Sequence, residues 1–168
     1  MAGEGNQVHA NRWVVAAHPY NSTAAYGTAD LVGTKMTFED VIPEDYGGGS
    51  IRSVQVLDYS DQMAAVDLIL FGDELASNTG AGTNWATGDN TALDIADSDA
   101  LNIIGAVSIG TGDYHTFSDN AVAVKQVDIP FYIRGRNLYG LLVSRGTPTY
   151  GGSTDEIVVS IGVERDAN

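Results

Sequence analysis

Hydrophobic and polar residues alternate along much of the chain, which is the pattern of half-buried β-strands. In residues 32–40, Val32, Met36 and Phe38 fall on one face, while Lys35 and Glu39 fall on the other. Six further segments show the same period or a short apolar run: residues 11–18, 50–60, 64–73, 121–133, 138–146 and 156–164. About eight strands with turn signals between them predict a β-sandwich or barrel.

Two of these segments carry more specific signals. Residues 64–73 are apolar on both faces except at Asp67, which is typical of a central strand. Residues 121–133 change phase, because Val122 and Val124 share one face whereas Val127 shares the other with the residues that follow it. We therefore expect a bulge at positions 125 and 126. Pro130 cannot donate a ladder hydrogen bond, so this strand should lie at an edge or bend there.

The inward faces of these strands define a predicted core. Its members are apolar residues that recur at every second position: Met36, Phe38, Val54, Val56, Leu68, Leu70, Ile129, Phe131, Val159 and Ile161. Residues 89–107 instead have an acidic start and wider apolar spacing. They predict at most one short helix, near Asp94 to Ile104, capped by Asp or Ser.

The charge balance limits the classes of partner. The 168-residue chain has 8 Lys and Arg against 22 Asp and Glu, a formal charge of -14, and no cysteine. This balance argues against nucleic acid and against anionic membranes as partners. No apolar run approaches the ~20 residues of a membrane span, and the first residues do not resemble a secretory signal. We therefore expect a single domain made in a cytoplasm.

Signals for catalysis or for a cofactor are weak. Asp94, Asp97 and Asp99 lie close together, and clustered oxygens suit calcium, but the spacing does not fit the twelve-residue calcium loop. Helix capping and a solvated face explain these aspartates better. No nucleophile elbow, paired-histidine metal motif or phosphate loop is present. The sequence predicts no enzyme activity, no cofactor and no essential metal.

Several residues are candidates for partner contacts. Trp85 lies in a polar loop, where it could fill a neighbour's pocket, stack on a sugar or cover its own core. Arg134 and Arg136 are a quarter of all cations in the chain, and arginine forks suit carboxylates across an interface. Residues 1–11 contain few apolar side chains, so we expect an arm that lies, through Val8 and Arg12, on a neighbouring chain.

The stretch "LYGLLVSRGTPTYGGSTDEIVVSIGVERD", Leu138 to Asp166, resembles the C-terminal end of small virion structural proteins of tailed bacteriophages. The resemblance covers about thirty residues. It implies a jelly-roll-like module on the virion, of the auxiliary capsid (decoration or cement) type, that binds the major capsid protein or other virion subunits. We therefore expect a single-domain all-β sandwich over residues 12–168 that forms a homo-oligomer, with a trimer favoured. Tyr150 would be a contact residue or a lid on the sandwich end.

Two alternatives remain open from the sequence. The chain could be a ligand- or carbohydrate-binding β-sandwich, such as a receptor-binding or fibre component, that uses Trp85, Tyr150 and loop acids. It could also be a β-fold hydrolase with a carboxylate pair, because acids are plentiful and only distance makes such a pair catalytic.

Overall fold

A computed structural model describes residues 12–17, 19, 22–75, 88–151 and 156–166, and only the backbone of residues 12 and 13. The described residues form nine strands and two single turns of helix. The strands are β1 Arg12–Ala17, β2 Met36–Phe38, β3 Gly47–Asp58, β4 Val66–Phe71, β5 Ile103–Ile109, β6 Tyr114–Phe117, β7 Asn120–Ile133, β8 Leu138–Ser144 and β9 Ile157–Arg165. The α-helix α1 spans Asp97–Ala100, and a 3-10 turn spans Thr111–Asp113.

The strands pack as two antiparallel sheets with jelly-roll topology. One sheet has the order β1-β9-β3-β7-β6 and the other β2-β8-β4-β5. Without β6, the remaining eight strands form the double Greek key of a jelly roll. The chain crosses from one sheet to the other between β7 and β8 and again between β8 and β9. The prediction of an all-β, jelly-roll-like sandwich with at most one short α-helix is confirmed for the described part of the chain.

The core lies between the sheets, as the alternation predicts. Of the ten residues predicted to point inward, nine are buried, and Ile129 is partly buried and packs against them. Strand β4 lies between β8 and β5, so its assignment as a central strand is confirmed. A second cluster on its outer side, Leu31, Phe71, Leu75 and Leu141, is packed by Leu93 and Ile95. The loop between β4 and β5 therefore covers the outer face of the four-stranded sheet.

Strand β7 differs from the prediction in its phase. Its odd-numbered residues from Ala121 to Ile133 point inward throughout, whereas Val122 and Val124 lie on the outer face. The register shift falls between Ile51 and Ser53 of β3, and the change of face occurs on that strand. In the β3–β7 pair, Val127 and Asp128 of β7 both lie opposite Arg52, so the irregularity expected near positions 125 and 126 occurs at the next residues of β7. Pro130 lies beyond the part of β7 that pairs with β6, so its edge position is confirmed.

Two other local predictions need correction. Strand β2 is shorter than the alternating segment, because Gly33 takes a left-handed φ of 77° and donates its N–H to Asp89 Oδ1 at 2.6 Å. Helix α1 has a single turn and no side-chain cap, so the capping by Asp or Ser is wrong. Ile104, one of the apolar residues whose spacing indicated a helix, lies in β5 instead.

Candidate interaction surfaces

The predicted partner contacts are spread over different parts of the molecule. Val8 and Trp85 lie outside the described residues, and of Arg12 only the backbone, which begins β1, is described. Arg134 and Arg136 are exposed in the turn between β7 and β8. Arg136 binds Asp40, with 2.7 Å between Nη2 and Oδ1. The two arginines therefore share one end of the sandwich, and one of them already has an acidic partner.

Tyr150 closes the opposite end of the sandwich. Its side chain is 3 % exposed, and its ring meets that of Tyr26 edge to face, with centroids 5.8 Å apart. The backbone N–H of Tyr26 donates to Pro148 O at 2.9 Å, which ties the two loops together. Of the two roles that the sequence left open for Tyr150, the structure supports the lid.

The lid lies among buried and partly buried tyrosines and one buried carboxylate. Burial raises the pKa of Tyr26 to about 12, and it raises the pKa of Tyr114 and of Tyr150 further, so these phenols stay protonated at neutral pH. Asp58 is 1 % exposed, and its oxygens accept the N–H groups of Ser60 at 3.0 Å and Met63 at 2.8 Å. Burial raises the pKa of Asp58. This carboxylate, which the sequence did not single out, holds the loop between β3 and β4.

The calcium candidates do not gather into a site. Asp94 and Asp97 are exposed, whereas Asp99 is buried on the other side of α1. Among the residues that the structure describes, no group of three or more His, Asp or Glu side chains is placed to hold a metal ion.

The outer face of the five-stranded sheet carries no Asp, Glu, Lys or Arg over three rows of paired residues. The rows span β1, β9, β3 and the edge formed by β7 and β6, and paired residues point to the same side. We call this surface the uncharged face, and its twelve residues are Val14, Ala16, Ser53, Gln55, Leu57, His115, Val122, Val124, Gln126, Val158, Ser160 and Gly162. Val14 is 69 % exposed and Val124 52 %.

A charged row marks the border of the uncharged face. Arg52 donates to Glu164 at 2.7 Å and to Asp128 at 2.6 Å, beside the row that contains Ser53. With strands ~4.8 Å apart and residues of one face ~6.7 Å apart, the three rows cover roughly 400 Å². Half of the twelve residues have apolar side chains: Val14, Ala16, Leu57, Val122, Val124 and Val158. The loop that covers the other sheet has no counterpart over this face among the described residues.

A second exposed surface lies at the end of the sandwich that carries Arg134. It contains Tyr46, Leu101, Ile103, Tyr132 and Arg134, and we call it the Tyr46 end. Tyr46 is 68 %, Tyr132 71 % and Leu101 87 % exposed. These residues surround a groove of about 410 Å³. Sequence patterning did not identify this surface, because its members come from three separate segments.

No helix in the described part of the chain is long and apolar enough to cross a membrane.

Comparison with known proteins assigns neither a family nor a function to the chain. No protein-family model matches the chain. No curated protein matches it either. Among solved structures, the chain is similar to a protein chain in the X-ray structure of tomato aspermy virus, with 14 % identity and a TM-score of 0.41. The match covers 100 % of this chain and 83 % of the viral one. A similarity of this strength is too low to assign a function.

Proposed function

We propose that this chain is a non-enzymatic virion structural protein, an auxiliary capsid protein of a tailed phage, that docks on neighbouring capsid subunits. The uncharged face is the observation that carries the proposal. A chain with a formal charge of -14 would be expected to place acids on an open sheet face, because charge keeps such a surface solvated. Depletion of charge at the centre of a patch is instead typical of interfaces.

The size of the uncharged face fits an interface in an assembly. A standard interface buries ~800 Å² per partner, and the uncharged face supplies about half of that. Exposed Phe117, which lies next to His115 on β6, and Tyr59 extend the apolar surface beyond the three rows. In a shell, many weak copies of such a contact add up through multivalency.

Three other observations bear on the choice between the proposal and its alternatives. The segment that resembles phage virion proteins forms strands β8 and β9 and the loop between them, so the resemblance concerns the scaffold that holds both sheets. The sugar-binding alternative loses one of its aromatic groups, because buried Tyr150 is not placed to stack on a ligand. The hydrolase alternative gains no support from Asp58, whose oxygens are occupied by backbone donors.

The experiment is cosedimentation of the purified chain with empty shells of the virus that encodes it. We expect the wild-type chain to bind and Val124→Glu to bind at least tenfold more weakly, because an unpaired carboxylate would be buried in the interface. Thr147→Glu, an equal charge change on an exposed loop, should bind as the wild type does. Failure of the wild type to bind shells would refute the proposed function, and full binding by Val124→Glu would show that another surface docks.

A further inference from the structure

The Tyr46 end carries groups of opposite charge on the two sides of one tyrosine. On one side, a groove of about 330 Å³ is lined by Glu44, Asp45 and Asp166, together with Arg165. Tyr46 lines this groove and also the 410 Å³ groove that contains Arg134. Acidic and basic surfaces therefore lie side by side at one end of the same chain.

Arg134 differs from the other cations of the structure. Lys35, Arg52, Lys125, Arg136 and Arg145 each bind a carboxylate within 2.7 Å. The Arg165 Nε donates to Val41 O at 2.8 Å. Among the described side chains, no carboxylate lies within ion-pair distance of Arg134, although Asp73 lines the same groove. A planar guanidinium beside exposed rings is suited to take a carboxylate from outside.

The backbone of the Tyr46 end is held in place before any partner arrives. The N–H of Tyr46 donates to Arg134 O at 3.0 Å, and the hydroxyl of Tyr132 donates to Tyr46 O at 3.4 Å. Tyr46 itself has a left-handed φ of 61°, which is unfavourable for a residue other than glycine. A fixed surface loses little conformational entropy on binding, so its exposed rings are available for contact at low cost.

We propose that the Tyr46 end binds a second copy of this chain. Arg134 of one copy meets Glu44 and Asp45 of the partner subunit, and the same pair forms again with the roles exchanged. A two-fold contact requires this self-complementarity, because each residue of the patch meets its counterpart on the same patch of the other copy. Tyr46, Tyr132 and Leu101 are buried between the copies.

The choice of a second copy rests on where the two charges lie. A foreign partner would need only the basic group or only the acidic groups. On this chain, Arg134 and the acidic pair Glu44 and Asp45 all line grooves that Tyr46 also lines. The inference extends the proposed function, because a capsid-binding protein gains avidity when its copies are joined. The Tyr46 end and the uncharged face share no residue, so one copy can use both at once.

Sedimentation velocity of the full chain tests the contact through a charge exchange. The wild type should sediment as a dimer or larger species, and Arg134→Glu alone should raise the dissociation constant at least tenfold. The double variant Glu44→Lys, Asp45→Lys should do the same, because both variants place like charges together. An equimolar mixture of the two should associate again, since each contact then joins opposite charges. Arg145→Glu, the same change at the opposite end, is the control and should associate as the wild type does.

The outcomes separate this inference from the proposed function. A wild-type chain that is monomeric at all concentrations, or an Arg134→Glu variant that associates as Arg145→Glu does, overturns the inference. So does a mixture that stays monomeric. Shell binding by such a monomer would leave the proposed function standing. Conversely, restored association in the mixture without shell binding by the wild type would support this contact and refute the proposed function.

Discussion

Asp58 shows how a single buried acid can set the pH response of the fold. Its oxygens accept backbone N–H groups of the loop between β3 and β4, where Asp61 and Met63 adopt left-handed φ values of 50° and 47°. The pKa of Asp58 is nonetheless raised, because the cost of burial exceeds the benefit of these donors. The folded state therefore holds the proton of Asp58 more tightly than the unfolded state does.

This difference predicts a pH-dependent effect of Asp58→Asn. Between the ordinary pKa of 3.8 and the raised folded value, the folded state is protonated at this site and the unfolded state is not. The stabilisation from Asp58 is thus fully present below pH 3.8 and is lost as the pH rises through the folded pKa. Measured by urea unfolding, Asp58→Asn should therefore lower the free energy of unfolding more at pH 4 than at pH 7. If the loss of unfolding free energy is equal or larger at pH 7, the backbone donors lower the pKa of Asp58 by more than burial raises it.

Phe38 tests the predicted inward face directly. Its side chain is 0 % exposed in the core cluster, so Phe38→Ala should reduce the free energy of unfolding by ~3–5 kcal/mol. Phe117 is 61 % exposed on β6, and Phe117→Ala should cost much less. Chemical denaturation of both variants measures the difference. Similar losses for the two would show that one face is assigned wrongly.

At the scale of elements, the outer faces of the two sheets differ in what covers them. Leu141 of β8 is 0 % exposed beneath the loop that carries Leu93 and Ile95. This loop is fixed to the chain before β2, because Leu31 N–H donates to Thr91 O at 2.8 Å. Leu57 occupies an outward position on β3, in the uncharged face, and is only partly buried.

Leu141 and Leu57 give a matched test of whether the loop between β4 and β5 shields the four-stranded sheet. Leu141→Ala should cost ~2–5 kcal/mol of unfolding free energy, whereas Leu57→Ala should cost less, since part of the Leu57 side chain stays in contact with water. Denaturant unfolding of the two variants compares the same substitution on opposite outer faces. Equal losses would show that the loop does not shield the four-stranded sheet in solution.

Most of the fold follows from local pattern, and the parts that do not follow have physical causes. The inward residues of β2 and β9 recur at every second position because one face of each strand packs on the opposite sheet, and that signal lies in the sequence. The phase of β7 was read wrongly because Val122 and Val124 are apolar but lie on the uncharged face. An apolar residue kept outside for contact cannot be distinguished by periodicity from one kept inside for stability.

The surfaces were harder to predict than the core. Arg134 was identified from composition, but the tyrosines beside it lie 86 residues apart in the chain and meet only through the fold. The sequence leaves Tyr150 open between a lid and a partner contact, since a tyrosine in a polar loop fits both burial and contact. Surfaces that join separate segments leave no local period, so their prediction needs the topology.

At the scale of the whole molecule, charge and the uncharged face have opposite effects on association. A formal charge of -14 makes copies repel one another at neutral pH, and the repulsion extends over about 8 Å at physiological ionic strength. The uncharged face offers apolar area without local repulsion. Association through the uncharged face therefore requires a partner of suitable shape that brings other contacts to the interface.

This balance predicts how the chain behaves when its charge is removed. Near the sequence pI of about 4.2 the net repulsion disappears, and the wild type should aggregate through the uncharged face. Val124→Arg should aggregate less at that pH, because a guanidinium on the face would have to lose its water in the contact. Thr147→Arg, with the same change in net charge on an exposed loop, should aggregate as the wild type does. Light scattering during acidification measures all three, and equal aggregation by both arginine variants would show that the uncharged face is not the surface that associates.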